Sequence, residues 1–247
     1  MCQYHMMKRK ESEKLSIVGS LCKERLDKTV SALREAQSQV DALINRNVRK
    51  LVSNTVESIG NYAFYGCSNL LEADMPNVKR IGHSAFAGTY ALTKADYPLA
   101  TSAGQQTFYC CIKLADVNLP KVWTLEKQMF YKCYMLQKLD FLQVGTIDEG
   151  AFEGCKSLTT LVLRSNTKCR LRYANAFTDC CHMLGTVDEK YNPDGLCDGY
   201  VYVPSALVAS YQADSVWTEA GVQFRALEDY TVDGTITGAL DESKISA

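Results

Sequence analysis

The chain has 247 residues, of which 47% are hydrophobic and 22% are charged, and its formal net charge is −1. This composition is typical of a globular protein and excludes disorder of the whole chain. The near-neutral charge and the lack of a dense Lys/Arg stretch argue against a nucleic-acid partner, and no apolar stretch reaches the roughly 18 residues that would predict membrane insertion.

Residues 1–11 are predicted to be a disordered start. They carry basic side chains, and no apolar run of signal-peptide length follows them. The sequence therefore favours a cytoplasmic or virion-associated protein, with the cell surface reached by another route as the alternative. The chain has eleven cysteines, an odd number in a long chain without a secretory signal, so we expect mostly reduced thiols.

Residues 12–52 are predicted to form a helix, because they contain no Pro, no Gly after Gly19 and many good helix formers. Apolar residues alternate at spacings of four and three, which is typical of a coiled coil and would make the chain a homo-oligomer. The candidate oligomerisation residues are Leu26, Val30, Leu33, Val40 and Ile44. The alternative is an amphipathic helix that caps the first coil of the repeats that follow.

Residues 53–186 contain an internal repeat of 22 residues, in five full copies and one degenerate copy. An apolar residue lies five positions before each Phe of the first five copies, a Cys lies three positions after all but one Phe, and a Leu or Met lies six positions after every one. The unit reads Ile-Gly-x-x-Ala-Phe-x-Gly-Cys-x-x-Leu and is clearest at 59–70. The recurring aromatic residues are Phe64, Phe86, Phe108, Phe130, Phe152 and Phe177.

Each copy is predicted to contribute one strand. Apolar residues at six, nine and eleven positions after Phe follow the Leu-x-x-Leu-x-Leu pattern, in which alternate residues enter the core. Pro76, Pro98 and Pro120 would end the strand pairing. The Ala-Phe-x-Gly-Cys stretch is expected to form a short helical or 3₁₀ segment opposite the strand. Stacked coils then predict an α/β solenoid with columns of Phe on Phe, Leu on Leu and Cys on Cys.

This unit closely resembles the BspA-like leucine-rich repeats of host-associated bacteria and some protists, over about residues 55–186. The resemblance implies a right-handed leucine-rich-repeat coil with short parallel strands, used for adhesion or recognition, with no catalytic residues to transfer. Three features depart from the family pattern. They are Thr89 at a Cys position, the missing Gly before Met129 and the irregular stretch 164–177.

Residues 187–227 are predicted to cap the last coil with a strand and a helix. Aromatic and aliphatic residues alternate over Tyr200–Val203, which is typical of a strand, and Pro204–Ser205 is a helix-start signal. Tyr211 and Trp217 are expected in the core of this cap. Residues 228–247 form a polar tail that is expected to extend away from the body.

The sequence lacks the motifs of an enzyme, a metal site or a cofactor site. The three histidines lie far apart, and none has Cys or carboxylate neighbours at zinc-ligand spacing. Cys110–Cys111 and Cys180–Cys181 are adjacent pairs, and nucleotide-binding and hydrolase fingerprints are absent. We therefore expect no catalytic residues, no metal, no cofactor and no enzymatic activity.

Candidate binding residues lie on the solvent side of the predicted strands. Ten positions after each Phe the row reads Asp74, Asp96, Asn118, Asp140 and Val162, and eight positions after it reads Glu72, Lys94, Asp116, Lys138 and Thr160. Carboxylates side by side destabilise a sheet. Either Lys94 and Lys138 offset this repulsion, or a cationic or hydroxyl-rich ligand binds the acidic row. Tyr109 and Tyr131 are a second candidate, with partly buried packing as the alternative.

These features favour a non-catalytic binding module for adhesion to, or recognition of, a protein or carbohydrate ligand through the sheet face. Because the sequence lacks an export signal, a phage tail-associated binding protein is one kind of protein that this interpretation favours. The alternative is a structural or assembly scaffold in which the repeats act as a spacer.

Overall fold

The main ladder consists of parallel strands that recur once per coil. The structure is a computed structural model that describes residues 48–232 and 235–236. The first strand pairs with the second, the third with the fourth, and the fifth to eighth pair in order, so the repeats form a solenoid-like fold. The strands are Lys50–Val52, Glu72–Asp74, Lys94–Asp96, Asp116–Asn118, Lys138–Phe141, Thr160–Leu163, Tyr200–Val203 and Phe224–Ala226.

Each coil also contributes a second strand, so the prediction of one strand per coil is wrong. These two-residue strands pair in parallel in two groups of three and form what we call the side ladder. In each strand the first residue points outward and the second, from the Ile of the motif, is buried. Two residues are too few for a visible alternation in sequence. The strands are Ser58–Ile59, Arg80–Ile81, Ser102–Ala103, Thr124–Leu125, Thr146–Ile147 and Arg170–Leu171.

The Ala-Phe-x-Gly-Cys stretch forms hydrogen-bonded turns in five coils, and in the last coil its Ala and Phe belong to the 3₁₀ helix Ala174–Phe177. The expectation of a helical segment therefore holds for the last coil alone. Residues two before and two after the Phe have positive φ, as at Ser84 and Gly88 around Phe86. A right-handed helix needs consecutive residues with negative φ, so these two positions prevent one. The positive φ also explains why the motif has Gly two positions after Phe, since Gly adopts this conformation without steric cost.

Cys110 occupies the Gly position of its turn with φ +56°, whereas Gly66, in the equivalent place, has φ +70°. A side chain in this region costs about 1–2 kcal/mol. Cys110→Gly removes this strain, but glycine also makes the unfolded chain more flexible, which lowers stability. The net result is expected to be a rise of about 0.5–1 kcal/mol in the free energy of unfolding. Urea denaturation measures this difference. The control Gly66→Ala, where a Cβ would meet no atom within 4 Å, should lower stability through the backbone alone, and a gain there would contradict the argument.

The core is a column of Phe rings that runs through the coils, as the repeat predicts. Consecutive rings from Phe64 to Phe177 stack with centroids 5.1–5.9 Å apart. The Leu residues six positions after the first five Phe residues form a second buried column, from Leu70 to Leu158. At the far end, the ring of Trp217 lies 6.0 Å from that of Phe177 and closes the Phe column.

The predicted helix over 12–52 is wrong at its end, because Lys50–Val52 is a strand that pairs with Glu72–Asp74. Leu51 packs against the core opposite Ala73, and this pairing outweighs the local helix propensity. The array of strands therefore begins before residue 53. The disordered start over 1–11, the rest of the predicted helix and the seam residues Leu26, Val30, Leu33, Val40 and Ile44 lie outside the described residues.

The segment after the repeats continues the main ladder. Strand Tyr200–Val203 is followed by helices Ser205–Gln212 and Ser215–Glu219, and by a further strand, Phe224–Ala226, that the sequence did not predict. A short helix, Cys181–Leu184, precedes this segment. Trp217 Nε1 donates to the carbonyl of Cys169 at 3.1 Å, and the amide of Cys169 donates to Tyr211 Oη at 2.6 Å. These two buried aromatic residues attach the helices to the last repeat.

The prediction that residues 228–247 extend away from the body is wrong at the start of that range. Leu227–Asp229 is a 3₁₀ helix, and Tyr230 is 6% exposed and packs on Val162. Thr231–Val232 then pairs antiparallel with Thr235–Ile236. Tyr230 has a large apolar ring, and its burial accounts for the local order of this otherwise polar segment.

Candidate binding surface

The outward side chains of the main ladder form one surface, which we call the strand face. Register places Lys94 beside Asp116 and Asp96 beside Asn118, so residues eight and ten positions after Phe form two parallel rows, as predicted. The strand face of the central coils consists of Glu72, Asp74, Lys94, Asp96, Asp116, Asn118, Lys138 and Asp140.

Asp96 is held in a small network of polar contacts. Lys94 Nζ lies 2.9 Å from Asp96 Oδ2 and 3.7 Å from Asp116 Oδ2, and Asn118 Nδ2 donates to Asp96 Oδ1 at 2.8 Å. Partial burial by itself would raise the pKa of Asp96, but the hydrogen bonds from Lys94 and Asn118 together lower it below the ordinary value. Lys94 therefore offsets the repulsion within the acidic row at this point.

Asp140 is paired with a cation that sequence reasoning did not identify. Arg164 donates from Nε to Asp140 Oδ1 at 2.7 Å and from Nη2 to Oδ2 at 2.9 Å, and Arg164 is only 9% exposed. The ammonium group of Lys138, which was expected to offset the acidic row, lies 4.9 Å from the ring centroid of Tyr230. Asp140 and Arg164 therefore form a bidentate ion pair, which links the strands of two neighbouring coils.

The strand face ends at Val162, which the sequence placed on the solvent side. Val162 is 0% exposed and packs against Tyr202, Leu227 and Tyr230. The residues after the last strand cross over this position. Val162 is therefore hydrophobic because the C-terminal segment buries it, and its position at the end of the polar row does not indicate a ligand contact.

A shallow groove of about 490 Å³ runs beside the strand face. Three of its lining residues, Thr93, Ala115 and Gln137, directly precede main-ladder strands, and Lys113 and Met135 complete the wall. Met135 is 42% exposed, which is high for a large apolar side chain. The groove therefore adds an apolar concave element beside the charged rows.

Tyr109 and Tyr131 lie outside both ladders, on the turns that carry the Phe column. Their rings stack with centroids 4.5 Å apart, and Lys132 Nζ lies 5.0 Å from the ring centroid of Tyr131. Partial burial raises the pKa of Tyr109. The structure therefore gives these tyrosines a packing contact between coils and does not bring them together with Asp96 and Asp140.

The cysteines of the repeat form a column of buried thiols. Cys111 Sγ donates to the carbonyl of Phe86 at 3.2 Å, and Cys133, Cys155 and Cys180 repeat the contact in later coils. Burial raises the pKa of Cys67 to about 11 and that of Cys111 to about 12. These thiols stay protonated at neutral pH, which suits packing and hydrogen bonding and not nucleophilic attack.

Within residues 48–232 and 235–236, no group of three or more His, Cys, Asp or Glu side chains is arranged to hold a metal ion. In the same part of the chain no helix has the length and apolar character needed to cross a membrane.

Trp123 is an exposed residue that sequence reasoning missed. It is 53% exposed, whereas Trp217 is fully buried. Trp123 directly precedes the side-ladder strand Thr124–Leu125. Since that strand is too short to be recognised in sequence, the signal for an outward-facing Trp was absent.

Comparison with known proteins agrees with this geometry. Residues 44–159 match the family model described as the BspA type leucine rich repeat region, in six copies. A leucine-rich repeat protein structure from Bacteroides ovatus is 24% identical with a TM-score of 0.52, over 73% of this chain and 42% of that chain. This chain therefore spans about two fifths of that protein, and the likeness concerns the fold alone.

Two further structures resemble the chain more distantly. The T. pallidum leucine rich repeat protein is 15% identical with a TM-score of 0.40, over 72% of this chain and 85% of that chain. A leucine rich cell surface protein from Faecalibacterium prausnitzii is 21% identical with a TM-score of 0.40, over 62% of this chain and 54% of that chain. No curated protein matches the chain.

Proposed function

Because residues 44–159 belong to the BspA-type leucine-rich repeat family, as the repeat motif indicated, we propose that the chain is a non-catalytic binding module. Its ligand is a protein or a glycan, and it binds along the strand face in the central coils. The setting we propose is adhesion to a cell or virion surface, with a phage tail as one such setting. The observation that carries the proposal is the row of exposed charged side chains beside a groove of about 490 Å³.

The contacts on the strand face indicate which of its residues are suitable for a test of the proposed binding. Asp140 holds the nearly buried Arg164, so its removal would leave a cation without its partner. Asp74 is exposed and the Asp96 side chain is 42% exposed, and ion pairs of side chains with this degree of exposure contribute little to stability. Substitutions at Asp74 and Asp96 therefore test binding with little effect on folding.

The double variant Asp74→Lys/Asp96→Lys is expected to lose at least about tenfold in affinity for the protein or glycan that the wild-type chain selects from arrays. Charge reversal changes the electrostatic potential of the strand face, and the thermal midpoint should shift by only a few degrees. The matched control Glu219→Lys/Asp194→Lys makes the same charge change at exposed positions away from the strand face and should bind normally.

Equal binding by the two double variants would show that the strand face is not the site. The second candidate function is a scaffold in which the repeats act as a spacer, and the internal pairing of Lys94 with Asp96 and of Arg164 with Asp140 favours it. Failure of the wild-type chain to bind any array member, together with a stable assembly in light scattering, would support the scaffold instead.

A further inference from the structure

The exposed indole of Trp123 lies against the next coil. A Cβ at Gly145, one repeat later, would overlap the six-membered ring of Trp123, so the absence of a side chain at 145 makes room for the indole. The carbonyl of Trp123 accepts hydrogen bonds from the amides of Gly145 and Thr146, at 2.9 and 3.3 Å. One side of the ring therefore covers the backbone of Gly145, while 53% of the residue remains exposed.

The surroundings of Trp123 on the side ladder are polar and rich in hydroxyl groups. Register places Thr124 beside Thr146, and Thr146 beside Arg170. In the coil before Trp123, Thr101 and Ser102 are exposed at the equivalent positions. Since neighbouring strands are about 4.8 Å apart, Arg170 lies about 10 Å from the Thr124 strand. Arg170 is itself exposed at the outward position of its strand.

From this arrangement we propose a second binding site, centred on Trp123, that takes a saccharide. The apolar face of a pyranose ring stacks on the exposed side of the indole. Its hydroxyl groups bond to the side chains of Thr124 and Thr146, and the next sugar reaches Arg170. An exposed aromatic ring, with hydroxyl groups on the strands that follow it and a guanidinium two strands away, offers both kinds of contact that a sugar makes. This site does not depend on the strand face.

Other ligands fit the same surface less well. A cation would lie between the exposed Arg80 and Arg170, two strands to either side of Thr124, and their like charge opposes its binding. A protein hot spot centred on Trp is normally surrounded by well-packed apolar groups that exclude water. The indole of Trp123 instead lies on the backbone of Gly145, and the side-ladder residues that follow it and pair with its strand are Thr124 and Thr146.

Affinity electrophoresis of the full-length chain through gels that contain xylan, glucomannan or chondroitin sulfate tests the proposal. The wild-type chain is expected to be retarded by at least one of the three polysaccharides. Trp123→Ala should reduce that retardation by at least about tenfold in apparent affinity. Thr146→Val, which removes one hydroxyl group at constant shape, should reduce it less. The control Tyr90→Ala removes another half-exposed ring, at a turn, and should bind normally.

Each other outcome contradicts the saccharide site. Failure of all three polysaccharides to retard the wild-type chain would overturn it, as would equal retardation of wild type and Trp123→Ala. If Trp123→Ala instead weakened only a protein ligand, Trp123 would be a protein contact. Asp74→Lys/Asp96→Lys, tested in the same gels, separates the two surfaces, because it should keep saccharide binding even if the strand face binds nothing. Circular dichroism checks that each variant is folded.

Discussion

Phe130→Ala is expected to lower the free energy of unfolding by about 3–5 kcal/mol, the range for removing a fully buried ring. Phe130 is 0% exposed, and its ring lies 5.7 Å from that of Phe108 and 5.9 Å from that of Phe152, nearly parallel to both. The turn amides hold these coils in register, as where the amide of Phe130 donates to the carbonyl of Ala151. Because the coils cannot close together freely, the cavity persists. Urea denaturation followed by circular dichroism measures the loss.

The matched control is Phe64→Ala, at the same repeat position in the first described coil. Phe64 is only half-buried, and it stacks on Phe86 at 5.1 Å as the first ring of the column. We expect a loss of about 1–2 kcal/mol, because less apolar area returns to water on unfolding. Equal losses at Phe64 and Phe130 would show that the column does not carry the stability of the array.

The 22-residue period was sufficient to predict the main ladder and the Phe column. Both depend on side chains that recur in phase, such as Phe86 and Leu92, and stacking of equivalent positions follows directly from recurrence. The side ladder and the turns were missed for a different reason. They depend on backbone conformation, at two-residue strands and at positive-φ positions such as Ser84 and Cys110, and side-chain types at these places vary from coil to coil.

The candidate site was predictable only where it belongs to the repeat. Asp96 and Lys94 lie where the period places them. Arg164 and Tyr230, which contact the far end of the strand face, come from the irregular stretch after the fifth full copy and from the C-terminal segment. Residues outside the period have no phase from which their partners can be inferred, so contacts across large sequence separations, such as Val162 with Tyr230, required coordinates.

Alanine at the Gly of the Ile-Gly pair is expected to have opposite effects in two neighbouring coils. At Gly82, a Cβ would lie 2.5 Å from the amide nitrogen of Asn61 and 2.6 Å from the carbonyl carbon of Gly60, in the preceding coil. These are backbone atoms and cannot rotate away, so the coils must separate and strain the pairing of Ile59 with Ile81. Gly82→Ala should therefore lower the free energy of unfolding by about 3 kcal/mol, at the upper end of ordinary overpacking.

Gly60 occupies the same position one coil earlier, and a Cβ there would meet no described atom within 4 Å. Its φ also lies outside the left-handed region, so Gly60→Ala should be neutral or should stabilise by up to about 1 kcal/mol through the unfolded state. Thermal and urea denaturation of the two single variants measures the contrast. Losses of similar size at both positions would mean that Gly82 is needed for its backbone freedom. A loss at Gly82 alone would mean that close approach of one coil to the next selects glycine in the motif.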